Sequence, residues 1–123
     1  MRLSLDIGSA NYVIRAYGQG SITVNETPYI RSLIVMPEHL YAEWEPQKPQ
    51  ELSSAHLEVL IDLQPEIILL GTGARLQFPE PGLMAQVLGK GIGFEVMDTG
   101  SACRTYNILS AEDRKVAAAL FMI

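Results

Sequence analysis

Residues 65–121 alternate short apolar runs, glycine turns and helical periodicity, and that order limits the chain to one class of fold. Glu66-Ile67-Ile68-Leu69-Leu70 is continuously apolar after one charge, the pattern of a strand covered on both faces. Gly71-Thr72-Gly73 follows at once. A helix beginning at Pro81 leads to a second strand, Gly93-Phe94-Glu95-Val96-Met97, which ends in Asp98-Thr99-Gly100. A third helix starts near Thr99 or Ser101, and Lys115 to Met122 reads as a last, apolar strand. Strands alternating with helices at this spacing predict a βαβ sheet. Its two glycine turns then lie at one end of neighbouring parallel strands, the end where open α/β sheets build their sites.

Upstream, residues 12–44 are β-rich. Tyr12 to Tyr17 and Ser21 to Val24 flank Gly18-Gln19-Gly20, a hairpin signal, and Asn25-Glu26 marks the next turn. Pro28 to Met36 reads as one longer extended segment stopped by Pro37, and Leu40 to Trp44 as a short strand. Glu45 to Pro49 holds two prolines and reads as a connector. The first helix is capped by Ser53 or Ser54, carries Leu57, Leu60, Ile61 and Gln64 on one face, and ends before Pro65. Leu83, Met84, Val87 and Leu88 form the expected buried stripe of the second helix; Ala102, Tyr106 and Leu109 share a face of the third. Ser110 to Asp113 reads as a turn. Spacing alone leaves the direction of the last strand open. The chain of 123 residues is read as one domain, with a β-rich part over 12–44 and a βαβ-type part over 51–121.

Charge and composition remove several functions. A net charge of −5 with scattered basic residues argues against nucleic acid, which needs clustered Lys and Arg. The longest apolar runs, such as 116–123, fall well short of the ~20 residues of a spanning helix. Asp6 and the lack of a long apolar stretch argue against a secretory signal. One cysteine excludes an internal disulfide and suits a reducing cytoplasm. His39 and His56 are far apart, and no Cys or His sits at metal-ligand spacing. No nucleophile–base pair is visible, so the chain reads as non-catalytic, with no cofactor.

Three blocks carry a family resemblance: residues 65–73, residues 91–99, and Ala102-Cys103-Arg104-Thr105-Tyr106-Asn107-Ile108-Leu109. Together with Leu33-Ile34-Val35-Met36-Pro37 and Trp44, they make the chain similar to a family of small domains of unknown function. That family includes the mitochondrial complex I (NADH:ubiquinone oxidoreductase) assembly factor 3 and the adipogenesis-associated protein. The resemblance covers roughly residues 12–121. It implies a three-layer α/β fold with a central mixed, mostly parallel five-stranded sheet, helices on its faces and an N-terminal β-hairpin region. It also implies that the last strand is antiparallel to its neighbours, and that the function is exercised through protein contacts. Without a mitochondrial presequence, the chain resembles a bacterial member.

The candidate site is the crevice between the two turns. Gly71, Thr72 and Gly73 can present backbone N–H groups to a small anion or metabolite, with Arg75, Ser101 and Arg104 as further polar groups. The alternative is that the glycines serve a sharp turn out of a buried strand. The turn lacks the Gly-Lys-Ser/Thr of a P-loop and the third glycine of a dinucleotide fingerprint. Asp98-Thr99-Gly100-Ser101 matches the active-site tetrapeptide of aspartic proteases, but here it precedes a helix. The expected role of Asp98 or Thr99 is to cap that helix. Cys103, in its first turn, is either packed in the core or activated by the helix dipole. Trp44 is either an anchor for a protein partner or a core residue of the β-rich part. A homodimer is the ordinary expectation for a small domain.

Overall fold

The computed structural model describes residues 11–123, so Asp6 and the rest of the segment weighed against a signal peptide lie outside the described residues. The described residues open with three antiparallel strands, β1 (Ile14–Gly18), β2 (Ser21–Val24) and β3 (Thr27–Tyr29), which form a separate sheet. There follow β4 (Leu33–Val35), β5 (Leu40–Tyr41), α1 (Ser54–Asp62), β6 (Ile67–Gly71), α2 (Pro81–Leu88), β7 (Gly93–Met97), α3 (Thr99–Ala111) and β8 (Val116–Leu120). The last five strands form one sheet in the order β5-β4-β8-β6-β7. β6 pairs in parallel with both β7 and β8, whereas β4 is antiparallel to β8 and to β5. Only β4 therefore runs against the other four strands.

Two expectations about the strands are corrected. The last strand is not antiparallel to both neighbours: β8 is parallel to β6 and antiparallel only to β4. α3 carries the chain back past the sheet, so β8 enters in the same sense as β6. Pro28 to Met36 is not one extended segment either. Its first part closes the small sheet as β3, its last part enters the large sheet as β4, and the break falls at residues 30–32. Ser32 at that break is fully buried. Its N–H donates to Gln47 Oε1 at 3.2 Å and its carbonyl accepts the Trp44 N–H at 2.9 Å.

β8 explains the layering. Val116, Ala118 and Leu120 face one side with Leu33, Val35 and Leu69, against α3 and the small sheet through Ala102, Cys103, Tyr106, Ile14, Ile22 and Val24. Ala117 and Ala119 face the other side with Ile34, Ile68, Leu70 and Phe121, against α1 and α2 through Leu57, Leu60 and Val87. Both faces are covered, so the strand is apolar without alternation. Ala118 registers between Val35 and Leu69, and Ala119 between Ile34 and Leu70. The small residues of the central strand thus leave room for large ones on either side.

The helices end as their residues dictate. Ser53 caps α1, which stops at Asp62, so Gln64 lies outside the helix, in a left-handed conformation (φ 56°) ahead of Pro65. α2 lies toward the β7 edge, so only part of its expected stripe is covered: Val87 is buried, Leu83 and Met84 are half-buried, and Leu88 is exposed. Ser110 and Ala111, expected in a turn, complete α3. Asn107 secures β1 to α3, since its Oδ1 accepts the Ile14 N–H at 3.0 Å and its Nδ2 donates to the Ile14 carbonyl at 2.8 Å. Ala118→Leu is expected to overpack this core and to cost about 1–3 kcal/mol, read as a lower urea midpoint with native secondary structure by circular dichroism.

Candidate functional site

The two turns do meet at the carboxyl ends of β6 and β7. The chain leaves β6 toward α2 on one face and leaves β7 toward α3 on the other, which is the geometry of a topological switch point. The expected crevice there is filled by hydrogen bonds between the turns themselves. The Thr72 N–H donates to the Met97 carbonyl and the Thr99 N–H to the Gly73 carbonyl, each at 2.9 Å. The Thr99 hydroxyl accepts the Gly73 N–H and donates to the Phe121 carbonyl, each at 2.7 Å. The Thr72 hydroxyl donates to the Arg75 carbonyl at 2.6 Å and accepts the Gln77 N–H at 3.1 Å. Thr72 and Thr99 are both buried.

The glycines are required by this closure. A Cβ on Gly71 would lie 2.9 Å from Leu120 Cδ2 and 3.0 Å from Thr99 Cα, and Gly73 adopts φ +96°. Glycine therefore serves close packing of strand ends here, and the N–H groups of Thr72 and Gly73 are spent within the protein.

Asp98, Ser101 and Arg104 form a second group at the start of α3. Asp98 caps the helix, with Oδ1 accepting the Ser101 N–H and Oδ2 the Ser101 hydroxyl, both at 2.9 Å. These two bonds, helped by the Arg104 charge, hold the Asp98 carboxyl below its ordinary range. Arg104 donates to the Tyr17 hydroxyl and, at 3.2 Å, to Ser101 Oγ, so the cluster fastens β1 to the helix N-terminus. Arg75 is exposed and joins the site through its carbonyl. Of the eight candidate residues, Gly71, Thr72, Gly73, Asp98 and Thr99 come together at the closed turns. Ser101 and Arg104 are grouped around Asp98.

Cys103 is buried, and burial pushes its thiol up to about 12; Arg104 opposes that shift and Asp98 adds to it. Trp44 is 4% exposed and packs on Phe121 with ring centroids 5.3 Å apart, so it is a core residue and not an exposed anchor. Leu76 and Phe78, on the loop from β6 to α2, are large apolar side chains that do stand in water near the two turns. Phe78 borders a cavity of about 450 Å³ lined also by Pro49, Leu52, Ser53, Leu70 and Leu83.

A side-chain cluster that the sequence did not disclose, Ser53, His56 and Glu45, reaches this cavity through Ser53. Ser53 Oγ is 3.1 Å from His56 Nδ1, and His56 Nε2 is 2.7 Å from Glu45 Oε1. Ser53 and His56 were legible as helix residues three apart. Glu45 comes from the preceding connector, and nothing in the sequence aims it at the ring. Among the described residues, no group of three or more His, Cys, Asp or Glu side chains could hold a metal ion, and no helix is long and apolar enough to cross a membrane.

Residues 14–121 match the sequence profile of a family described as a protein of unknown function (DUF498/DUF598). The chain belongs to that family. It is 33% identical over 114 residues to NADH dehydrogenase (ubiquinone) 1 alpha subcomplex assembly factor 3 of Danio rerio, across 91% of this chain and 65% of that relative. The chain thus spans less than two thirds of the assembly factor's length. It is also 35% identical over 68 residues, 55% of each chain, to the 13 kDa major membrane protein of Francisella tularensis. Among solved structures, a Bordetella parapertussis protein superposes with a TM-score of 0.86 at 38% identity, covering 93% of this chain and 98% of that one. The family and the mixed α/β fold are therefore those expected from residues 65–109.

Two outcomes test this site. Because the folded-state pKa of Asp98 is depressed, its stabilising effect is present above the unfolded carboxyl pKa and is lost as pH falls through the folded value. Asp98→Ala should cost about 0.5–1 kcal/mol near neutral pH, at the low end for a cap because solvent screens the group. That difference should shrink in urea titrations as pH is taken down through and below the ordinary carboxylate range. Cys103 should react with a thiol reagent only slowly in the native protein and at once in denaturant; fast native labelling would contradict its placement.

Proposed function

We propose that this chain is a protein-interaction module of assembly-factor type, which docks through the loop from β6 to α2. One observation carries the reading: Leu76 and Phe78 stand 51% and 67% exposed on a loop whose root is fixed by the Thr72 hydrogen bonds. Apolar side chains held in water on a rigid base, beside a cavity, are what a partner protein can bury. The names of the assembly-factor relatives support the same direction.

The alternative, a small anion or metabolite held between Gly71–Gly73 and Asp98–Ser101, has no specific support, because the polar groups of both turns are committed to one another. The reading accordingly requires no chemistry at that crevice. It takes the chain as one domain, acting in a bacterial cytoplasm on a protein and not on nucleic acid, in keeping with the net charge of −5 and the lone buried cysteine.

Affinity capture from the native host tests it, with the wild-type chain beside Leu76→Ser/Phe78→Ser. The wild type should retain a stoichiometric protein that the double variant loses at unchanged thermal midpoint. A second copy of this chain as the retained species would identify a homodimer. Equal recovery by both baits, or nothing above a blank resin, would remove the proposal.

A further inference from the structure

Ser53 occupies the N-cap of α1 and lines the 450 Å³ cavity. The tautomer of its neighbour His56 follows from the ring's partners. The Ser53 N–H donates to Nδ1 at 3.0 Å, so Nδ1 carries the lone pair, and Nε2–H donates to the Glu45 carboxylate at 2.7 Å. Trp44 lies beside the imidazole in a T-shaped arrangement, with ring centroids 6.4 Å apart and planes inclined at 74°. A hydroxyl thus lies 3.1 Å from an unprotonated ring nitrogen whose far side is fixed by a carboxylate. That is the relation of nucleophile, base and orienting group. The first N–H groups of α1 have no partner within the helix, and its positive end favours negative charge where Ser53 sits.

We propose that Ser53 is the nucleophile of an acyl-transfer site that hydrolyses activated esters, with a short apolar acyl group seated against Leu52, Leu70 and Leu83 in the cavity. Ser53 Oγ bonds to the carbonyl carbon while its proton passes to His56 Nδ1, and the carbonyl electron pair moves onto oxygen. Return of that pair expels the leaving group, which takes the proton from Nδ1. Water then attacks the acyl–Oγ ester in the same way and gives one proton to Nδ1. The acid departs, and that proton returns to Ser53 Oγ. The sum is ester plus water to acid plus alcohol or thiol. Nδ1 shares its lone pair with the Ser53 N–H, so it is only partly available to take the hydroxyl proton. Leaving groups that depart with little help from a proton, such as phenolates and thiolates, are therefore the class that fits.

Ser53 and His56 also form a capping box, and the test separates the two roles. Ser53→Asp keeps an N-cap acceptor without the hydroxyl. His56→Gln keeps an acceptor at the third helical position without a base. The full chain is treated with a fluorophosphonate probe and with p-nitrophenyl butyrate, and the labelled peptide is identified by mass. Wild type should carry the probe on Ser53 and hydrolyse the ester. Ser53→Asp should do neither, and His56→Gln should lose about 100-fold in labelling rate with little change in thermal midpoint. Wild-type protein that carries no probe on Ser53, or His56→Gln labelled at the wild-type rate, overturns the proposal. Neither result bears on docking through Leu76 and Phe78.

Discussion

The parallel pairing of β8 with β6 is the contact on which the rest of the molecule depends. It inserts a strand with three central alanines between β4 and β6 and so joins the β-rich half of the chain to the βαβ half. Because β8 is buried on both faces, the layer of α3 with the small sheet and the layer of α1 with α2 are built on the same backbone. A register slip of one residue would exchange Ala118 with Ala119 and place every large neighbour on the wrong face.

The same pairing shuts the switch point. The chain leaving β8 brings the Phe121 carbonyl to the Thr99 hydroxyl, and the Phe121 N–H donates to the Gly71 carbonyl at 2.9 Å. The position where related architectures hold a ligand is here a latch between three strand ends. Its donors and acceptors are consumed, and the exposed Leu76 and Phe78 belong to the loop beyond it. Rigidity at the root of the loop and exposure at Leu76 and Phe78 thus have one origin.

Much of this is legible in the sequence. The order of elements after residue 51, the helix start at Pro81, the cap at Asp98 and the adjacency of the two glycine turns all follow from local signals, because caps, turns and strand periodicity act over a few residues. What failed was long-range. The break at residues 30–32 exists because two sheets claim the segment on either side of it. Trp44 could be read as anchor or as core until Phe121 was seen beneath it. The contact of Glu45 with His56 joins a connector to a helix and leaves no periodic trace in the sequence.

By itself the sequence determined the class of fold, the family and the two turns, since these rest on covalent neighbours and on apolar spacing. Only the tertiary structure decided that β8 is parallel to β6, that the turns close upon each other, and that Ser53, His56 and Glu45 meet beside a cavity. Each of those depends on which distant residues compete for the same donor, acceptor or volume, and that competition is resolved only when the whole chain is packed.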